Sequence, residues 1–131
     1  MKLLTKQDIE KKRILKFEIV EVKEWDGNAK IIELMSNERD NYEKSIVNFE
    51  TGNLNANVKN FRARLVALTM VNDDNERLYT SEEDIIELGK QPASVIDKLF
   101  AVGQRLSGLT KKDEEALLKN SKGQSVNSNS D

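Results

Sequence analysis

Apolar and polar positions along the chain change period several times, and each change predicts an element. Thr5 with Asp8 three residues later predicts a capped short helix to about Arg13. Lys16 to Trp25 is rich in β-formers, with Phe17 and Ile19 on one face of a strand and Val20 and Val22 on the other. Asp26-Gly27-Asn28 reads as a hairpin turn, and Ala29 to Met35 as the returning strand. A strand with apolar residues on both faces is either buried on both or part of an interface. Ser36 or Asn37 can cap a helix to about Val47, and residues 48–57, with four Asn and Gly52, read as a loop.

The second half is more helical. Residues 58–71 form the most apolar helix, with Phe61, Leu65 and Leu68 on one face, and Asn72-Asp-Asp-Asn75 stops it. Thr80 with Glu83 predicts a capping box for a helix over about 81–88, with Gly89 as its C-cap. Pro92 suits the first turn of the next helix, over about 92–107. Val95, Leu99, Val102 and Leu106 recur there at helical spacing, and Gly108 ends it. Thr110 with Asp113 starts a last helix over about 111–119. Residues 121–131 hold four Ser and two Asn and predict a disordered tail. The expected fold is therefore α+β: one mostly helical domain over 1–120 with an N-terminal antiparallel hairpin over about 16–35, then the tail.

Composition narrows the chemistry. With 131 residues, 37% hydrophobic and 34% charged, the chain is long enough to bury a core. It contains no Cys and no His, which removes thiolate and imidazole ligands and the nucleophile pairs that use them. The formal net charge of −2 gives no whole-chain attraction to nucleic acid. The polar start predicts no signal peptide, and no apolar run approaches the ~20 residues of a membrane span.

Several groups of residues carry candidate chemistry. An EF-hand loop counted from Asp73 would need Gly where Leu78 stands and Glu where Asp84 stands, so a polar turn before a helix start is the better reading. The helix pair around Gly89-Lys-Gln-Pro92 has the length of a helix-turn-helix. Its second helix offers Ala93, Ser94, Asp97 and Lys98, a poor set for reading base edges. Glu18, Glu21, Glu24 and Glu33 lack a nucleophile, and no catalysis or cofactor is expected. Trp25, the sole Trp, sits beside the hairpin turn, either folded back as core or serving as a partner anchor. Leu78 and Tyr79, after the acidic turn, carry the same two readings, with packing expected first.

Several segments, in order, resemble the tail assembly chaperones of long-tailed phages and prophages. They are Leu4-Thr-Lys-Gln-Asp-Ile9, Val20-Glu-Val-Lys-Glu-Trp-Asp-Gly27 and Ser36-Asn-Glu-Arg-Asp-Asn-Tyr-Glu43. Arg64-Leu-Val-Ala-Leu68 follows, with the acidic turn and Leu78-Tyr-Thr80, and Leu99-Phe-Ala-Val-Gly-Gln-Arg-Leu-Ser-Gly-Leu109 closes the series. The resemblance spans roughly residues 4–120 and departs at Lys23, where the family usually has Pro, and at Ser107, where Asn is common. Residues 45–60 match nothing in it.

The resemblance implies a non-enzymatic protein of the host cytoplasm, absent from the mature virion, that binds the tape measure protein and helps recruit tail tube subunits. It also implies a longer frameshifted product in many members. Trp25, Leu78 and Tyr79 are the candidate contacts, self-association is admitted, and no nucleic acid or membrane partner is expected. The competing readings are a small helix-turn-helix regulator and a minor structural tail protein.

Overall fold

The computed structural model describes residues 1–12, 15–47, 51–54 and 60–109. Its order is α1 (Lys6–Lys11), β1 (Phe17–Val22), β2 (Gly27–Ile32), α2 (Ser36–Ile46), α3 (Phe61–Thr69), β3 (Met70–Val71), α4 (Glu82–Leu88) and α5 (Ala93–Leu106). The α+β class is as the periodicity predicts. The expected helix over 111–119 and the tail over 121–131 lie outside the described residues, as does most of the loop over 48–57.

The hairpin is antiparallel with Phe17 opposite Ile32 and Val22 opposite Gly27. Its connection differs from the predicted Asp26-Gly27-Asn28 turn. Lys23–Trp25 make one 3-10 turn, Asp26 takes a left-handed conformation at φ 53°, and Gly27 already belongs to β2. An Asp tolerates that conformation because its short polar side chain can bond locally. The second strand accordingly runs earlier than the expected 29–35.

Periodicity did not reveal β3. Met70 and Val71 continue the apolar run of α3, yet they leave the helix and pair with Ile31 and Lys30 of β2. The result is a three-stranded antiparallel sheet in the order β1-β2-β3.

The inner face of the sheet carries Val20, Val22, Ala29 and Ile31, all buried against the helices. α3 is buried almost all round, through Ala63, Arg64, Leu65, Val66, Ala67 and Thr69, while Phe61 and Leu68 pack at the margin. In α5 the buried positions are Val95, Ile96, Leu99, Phe100, Gly103 and the polar Gln104, with Val102 and Leu106 only half-buried. The buried stripe is thus rotated from the expected 95/99/102/106. Gly103 explains the rotation, because a Cβ there would lie 3.1 Å from Thr69 Oγ1. Its bare backbone lets α5 lie close to α3. Phe61 and Phe100 meet edge to face at 5.6 Å beside this contact.

Helix starts follow local chemistry. Thr5 and Asp8 form the expected reciprocal cap of α1, which buries no residue. For α2 the Glu38 carboxylate accepts the Met35 N–H at 2.9 Å, so the cap forms one residue before the expected Ser36. For α4 the cap is Ser81 with Asp84, one residue after Thr80 and Glu83. Asp84 accepts the N–H groups of both Thr80 and Ser81, at 2.9 and 3.3 Å, which holds its carboxyl below the usual range. Gly89 caps α4 in a right-handed conformation, and Pro92 stands immediately before α5.

Candidate functional site

The acidic turn after β3 is closed by its first residue. The Asn72 side-chain oxygen accepts the N–H groups of Asp74 and Glu76 at 2.9 and 3.0 Å, and Asn75 turns the chain at φ 63°. Arg77 then bridges back to Val71, and the Leu78 N–H reaches the Met70 carbonyl. Arg77 also donates from Nε to the Leu68 carbonyl at 3.3 Å and pairs with Glu38 of α2. The turn is therefore fixed at both ends, and it lays Leu78 and Tyr79 alongside the sheet.

That placement brings the three sequence candidates together. Trp25, Leu78 and Tyr79 line one groove of about 300 Å3, with Asn28, Ala29, Met70 and Gln91. The Trp25 Nε1–H donates to Gln91 Oε1 at 3.0 Å, tying the hairpin tip to the α4–α5 turn. Trp25 and Tyr79 are half-buried and pack against the core, whereas Leu78 is 53% exposed, contrary to the packing expected of it. Trp25 thus combines the two roles weighed for it: its ring leans on the core and also forms a wall of the groove. Gln91 was missed, because a lone Gln before Pro92 carries no sequence signal.

A second apolar surface lies on the outer face of the hairpin. Phe17 and Ile19 are 57% and 54% exposed, and Lys30 Nζ sits 4.8 Å over the Phe17 ring. The Glu33 N–H bonds to the Lys16 carbonyl at 3.0 Å. With the alternation of an antiparallel ladder, the main-chain groups of Phe17, Ile19 and Glu21 then point away from β2 to the sheet edge. Of these, the Glu21 carbonyl is taken by Lys98 Nζ of α5 at 2.6 Å. Of the two readings for this strand, burial on both faces is not what the fold provides.

Other polar groups tie the helices to one another and to the sheet. Arg64, almost buried, holds Glu82 of α4 through two hydrogen bonds of 2.6 and 2.8 Å. The hydrogen bonds from Arg64 keep the Glu82 carboxyl below the ordinary range, and the same bonds raise the Arg64 guanidinium. In α5, Asp97 pairs with Arg62 at 3.6 Å and Lys98 donates to the Glu21 carbonyl at 2.6 Å. Among the described residues no cluster of carboxylates could hold a metal ion, and no helix is long and apolar enough to cross a membrane.

Comparison with protein-family models, with curated proteins and with solved structures finds no match to this chain.

Proposed function

We propose that this chain is a phage tail assembly chaperone, which binds the tape measure protein in the host cytoplasm, helps recruit tail tube subunits and stays out of the finished virion. The ordered motifs that resemble this family support the reading. The observation that carries it is the outer face of the hairpin. Phe17 and Ile19 stand exposed on a strand whose edge is unpaired among the described residues. A tape measure is long, helical and apolar in stripes, and such a client needs an apolar surface to shield it. A row of two large apolar side chains beside free main-chain groups offers one.

Co-expression tests the proposal. The tape measure protein of the same phage or prophage should move from the pellet to the soluble fraction when this chain is present. The Ile19→Glu variant should lose that effect while keeping its melting temperature, because Ile19 is not in the core. A tape measure equally insoluble with and without the wild-type chain would overturn the assignment.

A further inference from the structure

β1 is an edge strand among the described residues, because β2 separates it from β3. The main-chain groups of Phe17, Ile19 and Glu21 face outward, and Lys98 Nζ holds the Glu21 carbonyl at 2.6 Å. Within β1 the open main chain is therefore that of Phe17 and Ile19. A stretch so short accepts few partners, and a second copy of itself is one that it matches without remainder.

Lys98 selects the register of such a pair. Antiparallel pairing centred on Ile19 or on Val20 needs the Glu21 carbonyl, which is taken. Pairing centred on Phe17 needs Leu15, which precedes β1. Centred on Glu18, it sets Phe17 of one copy opposite Ile19 of the other. The N–H and C=O of each then meet those of its opposite, and no open group is left over. On the outer face each pair is an aromatic ring against a β-branched side chain, a favourable cross-strand combination.

The charges at the centre agree with this register. Glu18 would face Glu18 of the second copy, and like charges directly opposite repel. Each Glu18, however, already accepts from Arg105 Nη2 of α5 at 2.6 Å. Two carboxylates and two guanidiniums then alternate around the axis, so the seam is neutral and each acid has a base on either side. Because Lys98 and Arg105 both reach β1, the pairing also brings the α5 helices of the two copies together beneath it. Val102, half-buried, lies between those two residues on the same helix face.

We infer that two copies of this chain join through their β1 edges, antiparallel about Glu18, into one continuous sheet. The contact is isologous, so it closes at two copies. The outer face stays open, and the Phe17 and Ile19 rows of both copies become one apolar patch. The pairing does not depend on any client, and it is tested on this chain alone.

By sedimentation velocity the wild-type chain should pass from 14.9 kDa to twice that mass with concentration, and go no further. Glu18→Arg leaves only cations around the axis and Arg105→Glu only anions, so each variant alone should self-associate at least about tenfold more weakly. Neither residue is in the core, so both should keep the wild-type melting temperature. Mixed one to one, they should pair with each other, and raised salt should weaken that pair. A residue that served only its own fold would not produce this complementation. The chain has no Cys, so a single introduced one reports the register. In an Arg105→Gln background, which keeps the seam neutral, Glu18→Cys should be trapped as a disulfide dimer by a mild oxidant. Residues opposite each other at such a non-hydrogen-bonded position have Cα atoms about 4.5 Å apart, within the span of a disulfide. Phe17→Cys and Ile19→Cys should be trapped far more slowly. A wild-type chain that stays at 14.9 kDa up to its solubility limit overturns the inference. So does growth past two copies, a mixture that stays at the mass of one chain, or faster trapping at position 17 or 19 than at 18.

Discussion

α1 and α4 begin with the same device and end in opposite situations. Thr5 with Asp8, and Ser81 with Asp84, each form a reciprocal cap in which a hydroxyl accepts from the acid's N–H and the carboxylate accepts from the cap's own. The helices have six and seven residues. α4 buries Ile85 and Leu88 and is bolted to α3 through Glu82 and Arg64, whereas α1 buries nothing. A cap sets where a helix starts; tertiary burial decides whether the helix contributes to the stability of the domain.

The largest expected contrast is between the apolar residues of the two helices. Leu88 is fully buried, so Leu88→Ala should cost about 2–5 kcal/mol, read as a lower urea midpoint at unchanged slope. Ile9→Ala should leave the midpoint where it is. An equal loss from both would mean that α1 is part of the cooperative domain in the monomer.

Glu82 sharpens the comparison next. Glu82→Gln weakens the paired hydrogen bonds to a nearly buried guanidinium, and since the Glu82 side chain is 60% exposed the loss should be only about 1–2 kcal/mol. The Glu82 carboxyl is held below its ordinary value in the folded chain. The stability it contributes is present above that ordinary value and is lost as pH falls through the lowered one. Wild-type stability should thus decline below about pH 4.5, with the decline shallower in the variant. Parallel acid profiles for the two chains would remove Glu82 from the account.

The caps themselves give the smallest effects. Ser81→Ala should cost about 1 kcal/mol. Thr5→Ala should leave the global midpoint unchanged and show only as faster amide exchange within α1.

These two helices also illustrate how far the sequence could be read. Both caps were recognisable as a hydroxyl residue three positions before an acid, but at α4 two registers fit. Thr80/Glu83 and Ser81/Asp84 look alike in sequence. Only the fold shows that one carboxylate, Asp84, takes both preceding N–H groups. The hairpin was legible from its β-formers, though its connection was not, since Asp-Gly-Asn mimics a tight turn while the chain spends Lys23–Trp25 on a 3-10 turn first.

β3 was hidden because Met70 and Val71 prolong the helical apolar pattern and are recruited by a long-range partner. Trp25, Leu78 and Tyr79 could be chosen as contact chemistry from residue type and local setting. That they share a groove depends on the Asn72 turn and on pairing between distant segments, which periodicity does not encode.

Lys98 has a consequence for the lifetime of the protein in concentrated solution. A bare strand edge invites lateral templating, the first step of cross-β growth. By sitting on the Glu21 carbonyl, the ammonium group leaves Phe17 and Ile19 as the open stretch of β1 among the described residues and places a charge at its end. Such an opening can receive a short contact yet is poorly suited to seed a fibril. A Lys98→Ala chain is expected to melt near the wild-type temperature but to form thioflavin-positive fibrils after a shorter lag on prolonged agitation.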